Sequence, residues 1–325
     1  MSIALIALWF ASPLFAQHRL YTTGITSKGW VVGTKLQPSG LFLRMGKGWH
    51  RLGFLHPQIQ TLDYDPRDPR RIYLAAGNGC IRSDDGGKSW RILTGWEMTE
   101  LQDVSVDRNQ PDHVWIALPD GVAVSRDAGK SWSRVNLGVA RRFIQSIRVD
   151  RSQPGRVLAG GELGVLISED AGASWNRSSP ELRLVTHLEQ SPHDAKRWLA
   201  TTQEQGAYQS TDGGRSWQPL PGVPKGTLYN ASFDPHGENR MALAGWGVGV
   251  VVSEDGGKSW RDGAQGLPSR AVWRAVFDPD QAGALWVSVH EEAAFLSPDA
   301  GRSWRRAGLE GSILYDFIFV PETAP

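Results

Sequence analysis

The chain has one cysteine, Cys80, in 325 residues. That excludes an intrachain disulfide and any cysteine-based metal cluster, and its apolar surroundings read as those of a buried small hydrophobe. There is no charge imbalance: 35 Lys and Arg face 34 Asp and Glu. With no basic run either, the sequence carries no electrostatic footprint for nucleic acid. No stretch shows helical apolar periodicity, so no glycine-rich phosphate loop opens a helix. Beyond the first sixteen residues no segment is apolar enough to cross a bilayer. His290-Glu291-Glu292 lacks the second histidine of a zinc helix and lies in a strand context, so no metal and no cofactor are expected. The glycosylation patterns at Asn176 and Asn230 are short enough to arise by chance.

What is abundant is glycine, proline and tryptophan, at 37, 19 and 15 residues. Apolar residues come in short runs separated by Gly, Asp, Pro and Ser, the pattern of many short strands joined by tight turns. Residues 1–16 differ: they are apolar and uncharged in their side chains. They read as a secretory signal peptide cut after Ala16, leaving residues 17–325 as a single exported domain, periplasmic or extracellular.

A repeat organises that domain. Ser83 to Trp90 fits the pattern S-x-D-x-G-x-S-W, which recurs at Ser125–Trp132, Ser168–Trp175, Ser210–Trp217, Ser253–Trp260 and Ser297–Trp304. A worn copy, Arg44 to Trp49, precedes them. The closing tryptophans stand at 49, 90, 132, 175, 217, 260 and 304, a period of 41 to 44 residues. Each period also holds a first strand ending in an Asp-Pro-like signal, such as Ile59 to Pro66, and a second such as Ile72 to Ala75. Four short strands per repeat make a propeller blade. The C-terminal Leu314 to Pro321 matches the first-strand pattern but has no blade after it. It is expected to close the ring on the N-terminal blade, whose other strands would be Gly29–Thr34, Leu41–Arg44 and Trp49 onward, with residues 18–26 an extra strand or arm. The fold predicted is all-β: a seven-bladed β-propeller with four antiparallel strands per blade.

These segments resemble the Asp-box (BNR) repeat family of sialidases, xyloglucanases, sortilin-type receptors and the photosystem II assembly factor, and the resemblance covers essentially the whole mature chain. It implies that the box is the turn between third and fourth strands. Asp85, Asp127, Asp170, Asp212, Asp255 and Asp299 are then structural: their carboxylates accept turn amides while the tryptophan fills the space between blades. It also implies that ligands bind on the face opposite the boxes. That face would carry loop residues including Asn78, Asp120, Glu162, Glu204, Trp246 and His290 to Glu292, and inter-blade residues including Trp96, Glu97, Arg141, Arg142, Arg183 and Glu310.

At the third position of each first strand the repeats place Thr61, Asp103, Ser146, His187, Asn230, Arg274 and Asp316, with Tyr229, Trp273 and Tyr315 one position earlier. A varied polar and aromatic set at equivalent positions suits a sugar or peptide pocket at the axis. Asp103 and Asp316 are the candidates for a glycosidase carboxylate pair, but the Arg-Ile-Pro signature of sialidases is absent. The leading expectation is a monomeric module that binds a protein segment or a glycan without catalysis. A glycoside hydrolase and an assembly-factor-like chaperone are the alternatives.

Overall fold

Second strands such as Ile72 to Ala76 are continuous apolar runs, and each is buried on both faces because a neighbouring blade covers either side. First strands such as Ile144–Val149 alternate, with every other side chain turned into the inter-blade core. The computed structural model describes residues 17–29, 38–53, 55–56 and 58–322. In them, 28 strands form seven four-stranded sheets, every recorded pairing antiparallel and without a helix. The chain is the expected seven-bladed propeller. We number its blades I to VII by their closing tryptophans, from Trp49 to Trp304.

The ring closes as expected but with different strands. Ser312–Pro321 is the innermost strand of blade I, pairing with His18–Thr26 in a register that runs from His18↔Pro321 to Thr26↔Ser312. Ser39–Met45 and Gly48–Leu52 complete that sheet. Residues 18–26 are therefore neither an extra strand nor an arm. They take the second-strand place that the sequence reading gave to Gly29–Thr34, of which residues 30–34 lie outside the described residues. The reason is burial: a second strand is covered on both faces, and the run Leu20 to Gly24 is buried throughout. Gly24 sits so close to the closing strand that a Cβ there would lie 2.4 Å from the Ile313 carbonyl oxygen.

The six S-x-D-x-G-x-S-W segments are turns between third and fourth strands, all with one hydrogen-bond pattern. In the first, the Ser83 hydroxyl donates to Asp85 Oδ1 (2.8 Å) and accepts the Gly87 N–H (2.8 Å). Asp85 accepts the Ser89 N–H (2.9 Å) and hydroxyl (2.6 Å). The residue before the conserved glycine takes a left-handed conformation even where it is alanine, at Ala128, Ala171 and Ala300. The glycine after it is also left-handed and has no room for a side chain: a Cβ on Gly172 would lie 2.5 Å from Trp115. Each closing tryptophan then packs into the core between its own blade and the one before, as Trp132 does beside Tyr73, Cys80, Val104 and Ile116. Cys80 is fully buried there, and burial pushes its thiol up to about 12.

These turns make a stability prediction. Hydrogen bonds from the serines hold Asp127 and Asp170 down to about 2, and the carboxyls of the other four turns are lowered as well. A carboxyl whose folded value lies below its unfolded one, near 3.9, contributes stability above about pH 4 and loses it as pH falls towards 2. Urea unfolding should therefore show a midpoint that drops between pH 7 and pH 3. Asp212→Ala, which strands the Ser216 and Arg215 amides, should cost about 1–3 kcal/mol at pH 7 and show a smaller drop.

Candidate functional site

The two faces of the disc follow from the turns. The Ser–Asp turns lie on one face, which we call the turn face. A fourth strand starting there ends on the other, the loop face, so inter-blade segments meet the connections between second and third strands. The Glu100 and Leu101 amides, for example, donate to the Gly77 and Ala76 carbonyls (2.8 and 3.1 Å).

The third-position residues do not stand open at a mouth. Thr61, Asp103, Ser146, His187 and Asn230 are buried, and Arg274 and Asp316 are half-buried. Their contacts run from blade to blade. Asp103 Oδ2 accepts the Ile147 N–H (2.9 Å), Ser146 Oγ that of Leu188 (3.2 Å), His187 Nδ1 that of Ala231 (3.4 Å) and Asn230 Oδ1 that of Ala275 (2.8 Å). Thr61 donates its hydroxyl to Asp316 Oδ2 (2.7 Å), and Arg274 Nε lies 3.5 Å from Asp316 Oδ1. Between blades II and III the job falls to Asp63, two residues along, which accepts the Val106 N–H (2.7 Å). Every junction is thus bridged by a side chain of a first strand.

The two aspartates proposed as a catalytic pair are occupied. Asp103 also bonds Arg148 and accepts the Ser146 hydroxyl (3.1 Å) and the Val104 amide (2.9 Å). Burial pushes its carboxyl above the ordinary value while Arg148 and these amides pull it back. Burial works against the Arg148 charge too, but Asp103 offsets it and holds the guanidinium above its usual value. Burial, then Arg148 and Arg274, keep His187 well below its usual value and so neutral. Asp316 accepts its own Phe317 amide (2.9 Å) besides Thr61. Neither aspartate faces an open cleft with a free oxygen.

The aromatic residues do gather on the loop face. Tyr229 and Trp273 stack with centroids 4.4 Å apart, and Trp246 and His290 meet Trp273 at 6.3 and 6.0 Å. The Trp273 indole N–H donates to His290 Nδ1 (2.8 Å). Tyr315 is half-buried and makes no recorded ring contact with this group. Of the rim carboxylates, Asp120 pairs with Arg134 (2.7 Å), Glu291 accepts the Ser27 hydroxyl (2.9 Å) and Glu292 pairs with Lys28 (2.8 Å). They are spread around the disc. Of the six large apolar side chains exposed among the described residues, Leu55, Trp96, Val139 and Trp246, at 41, 89, 44 and 45% exposure, lie on this face, while Met45 is on the turn face and Ile92 on an outer strand.

Sequence reasoning placed a pocket at the axis but missed the deeper lining of the axial cavity, about 290 Å³, which takes in Thr61, His187, Asn230 and Asp316 and runs from their ring towards the turn face. Asp63, Arg148, Glu189, Val276 and Ile318 line it, two residues along the first strands from that ring. The strand period of two was the available signal.

Compared with known proteins, residues 120–239 match the family model described as sortilin, neurotensin receptor 3. No curated protein matches the chain. Among solved structures, the GH74 xyloglucanase from Xanthomonas campestris is similar at 18% identity and a TM-score of 0.66, with 79% of this chain and 46% of that chain covered. An ancestral GH74 enzyme matches at 17% identity and 0.64, covering 82% of this chain and 38% of its own. This chain thus spans less than half the length of either enzyme. YCF48 bound to D1 peptide matches at 21% identity and 0.59, covering 77% of this chain and 81% of that one. At these identities the likeness establishes the propeller fold.

The ring's role can be tested through stability. Asp103→Ala leaves the Arg148 charge and the Ile147 amide without their partner and should cost about 3–5 kcal/mol in urea unfolding. Asp103→Asn keeps an acceptor and should cost less. A catalytic carboxylate with no bridging role would show the reverse: intact stability in both variants.

Proposed function

We propose that the chain is an exported binding module that captures a protein partner on its loop face. The observation that carries this reading is the exposed Leu55, Trp96 and Val139, one from each of three consecutive inter-blade loops, I–II, II–III and III–IV. Water-facing apolar groups gathered along one arc of a folded surface mark an interaction site, and tryptophan is the residue type that most often anchors one. Arg183 stands exposed on the same face, and Arg141 and Arg142 pair there with Asp120 and Glu162 at 3.3 and 3.9 Å, a mixed polar rim around the apolar arc. A propeller of the same fold, YCF48, has been solved with a peptide bound, which supports the reading by analogy. The bonds that occupy Asp103, from Arg148 and Ser146, and Asp316, from Thr61 and the Phe317 amide, weigh against a glycosidase.

A glycan-binding reading has its own observation: the Tyr229–Trp273 stack with Trp246 at its edge, since sugar rings pack on aromatic faces. Export rests on residues 1–16, and the Asp-box assignment on the turn pattern. Gln17 already accepts the Glu322 N–H through its carbonyl (2.7 Å), so cleavage after Ala16 would leave the first sheet intact.

A photo-crosslinking residue placed at position 96 or 139 should capture a polypeptide from the exported fraction, and one at Met45 on the turn face should not. Trp96→Ser should weaken that partner at least about ten-fold, the scale of an interface hot spot, without lowering the melting temperature. Equal crosslinking from both faces, or retained affinity in Trp96→Ser, contradicts the proposal. A positive glycan array lost in Trp246→Ala would favour the sugar reading.

A further inference from the structure

The outer strand of a propeller blade has a free edge, and six of the seven blades keep that edge very short. Their fourth strands, from Arg91–Ile92 to Arg305–Arg306, are two residues long. So short an edge offers too few unpaired groups to accept another chain. Blade I departs from this: its outer strand, Gly48–Leu52, has five residues and ends its sheet. The two-residue turn before it closes on the pair Met45↔Gly48. Residues of an antiparallel ladder turn their amides alternately towards the partner strand and away from it. The groups turned outwards are therefore the N–H and C=O of Trp49 and Arg51, and among the described residues nothing bonds them.

The two faces of this edge differ. Trp49 packs against blade VII beside Trp286 and Phe317, and Arg51, two residues on, turns the same way. His50 and Leu52 turn towards blade II, where Leu52 joins the core shared by blades I and II. At the rim of that core, on the outer strand of blade II, stands Ile92. It pairs with Ile81 and so faces blade I, yet it is 52% exposed. At the same place, two residues after the closing tryptophan, the other blades carry Arg51, Arg134, Arg177, Pro219, Asp262 and Arg306. A branched aliphatic side chain stands there only beside the long edge.

The edge is also basic. Residues 46–52 hold Lys47, His50 and Arg51, all exposed, and no carboxylate. Arg51 donates to the Gly53 carbonyl (3.1 Å) and to no acid. Asp84 of blade II is taken up by Arg71, Arg82 and Arg91.

We infer that the outer edge of blade I is a second polypeptide-binding surface, which takes an extended segment as the fifth strand of that sheet. Strand addition draws its affinity from main-chain bonds and its selectivity from alternate side chains. The segment that fits alternates apolar and acidic residues. Its main chain bonds Trp49 and Arg51, its apolar side chains cover Leu52 and Ile92, and its carboxylates face Arg51. This surface does not include Trp96 or Val139, on which the loop-face reading depends. Met45 lies one strand further in, about 10 Å from an added chain.

The probe is a capped heptapeptide alternating valine and glutamate, titrated into the full chain while the Trp49 and Arg51 amides are followed by NMR. Saturable shifts are expected at both amides, with slower hydrogen exchange there. The same peptide with every internal amide N-methylated keeps the side chains but loses the strand's donors, and should not bind. Lysine in place of glutamate should weaken binding at least about ten-fold at low salt. Arg51→Pro removes an outward-facing amide, a place where an edge strand tolerates proline. It should abolish the Trp49 shift at an unchanged melting temperature, and Ile92→Ser should weaken binding about ten-fold. The inference is overturned by no saturable shift, by equal binding of the methylated or lysine peptide, or by unchanged affinity in either variant. The three peptides need only the unsubstituted protein, so they decide the matter even if Arg51→Pro does not fold. Trp96→Ser should leave the peptide's affinity unchanged, so this test and that of the loop-face reading fail separately.

Discussion

Seven sheets arranged around an axis each turn one edge inwards, and an unpaired strand edge is a row of donors that must find acceptors. In this propeller the innermost strands do not pair with one another; each is the terminal strand of its own sheet. Side chains on these strands close the gap. Asp103, Ser146, His187 and Asn230 each reach one blade forward to an inward-facing amide, and Asp63, Thr61 and Arg274 complete the circuit. An unbonded buried amide costs about 1–3 kcal/mol, so such a ring is worth a substantial part of a domain's marginal stability. The remaining architecture presupposes this circuit: the tryptophans can fill the inter-blade space only if the blades are held at a fixed spacing.

That constraint explains why the axis looked functional in the sequence. The Ser–Asp turns repeat nearly unchanged because one geometry, with its left-handed glycine and two amides to satisfy, admits few residues. The bridging position demands only an acceptor, or a donor aimed at one, and Asp, Asn, Ser and His all qualify. The residues therefore vary from blade to blade while the task stays constant. Aspartate recurs at 103 and 316 because two oxygens can serve the strand's own amide and the neighbouring blade together.

The fold was legible almost in full. Six turn motifs in register and a headless final strand specified seven blades and the ring closure, and the structure agrees. The N-terminal blade was harder: His18–Thr26 carries polar Thr22 and Thr23 side by side, where only the blade V strand has a comparable pair, Thr201 and Thr202, so it did not read as a doubly buried strand. The loop-face aromatics Tyr229, Trp273 and Trp246 were legible as a group because their repeat positions are adjacent. The deeper cavity lining escaped notice because Arg148 and Glu189 sit in strands whose apolar partners dominate the pattern, and only pairing across the ring shows that Asp103 bonds Arg148.

The ring of third-position side chains thus belongs to the scaffold, and the proposed partner surface lies apart from it on the loop face. Native-state amide hydrogen exchange tests this division most directly. If the third-position residues are structural bridges, the amides of Ile147, Leu188, Ala231 and Ala275 should exchange only through global unfolding, as slowly as those of the doubly buried second strands. Fast exchange at these four amides, with the second strands still protected, would mean that they face a solvated channel and that the bridging ring does not hold the blades together.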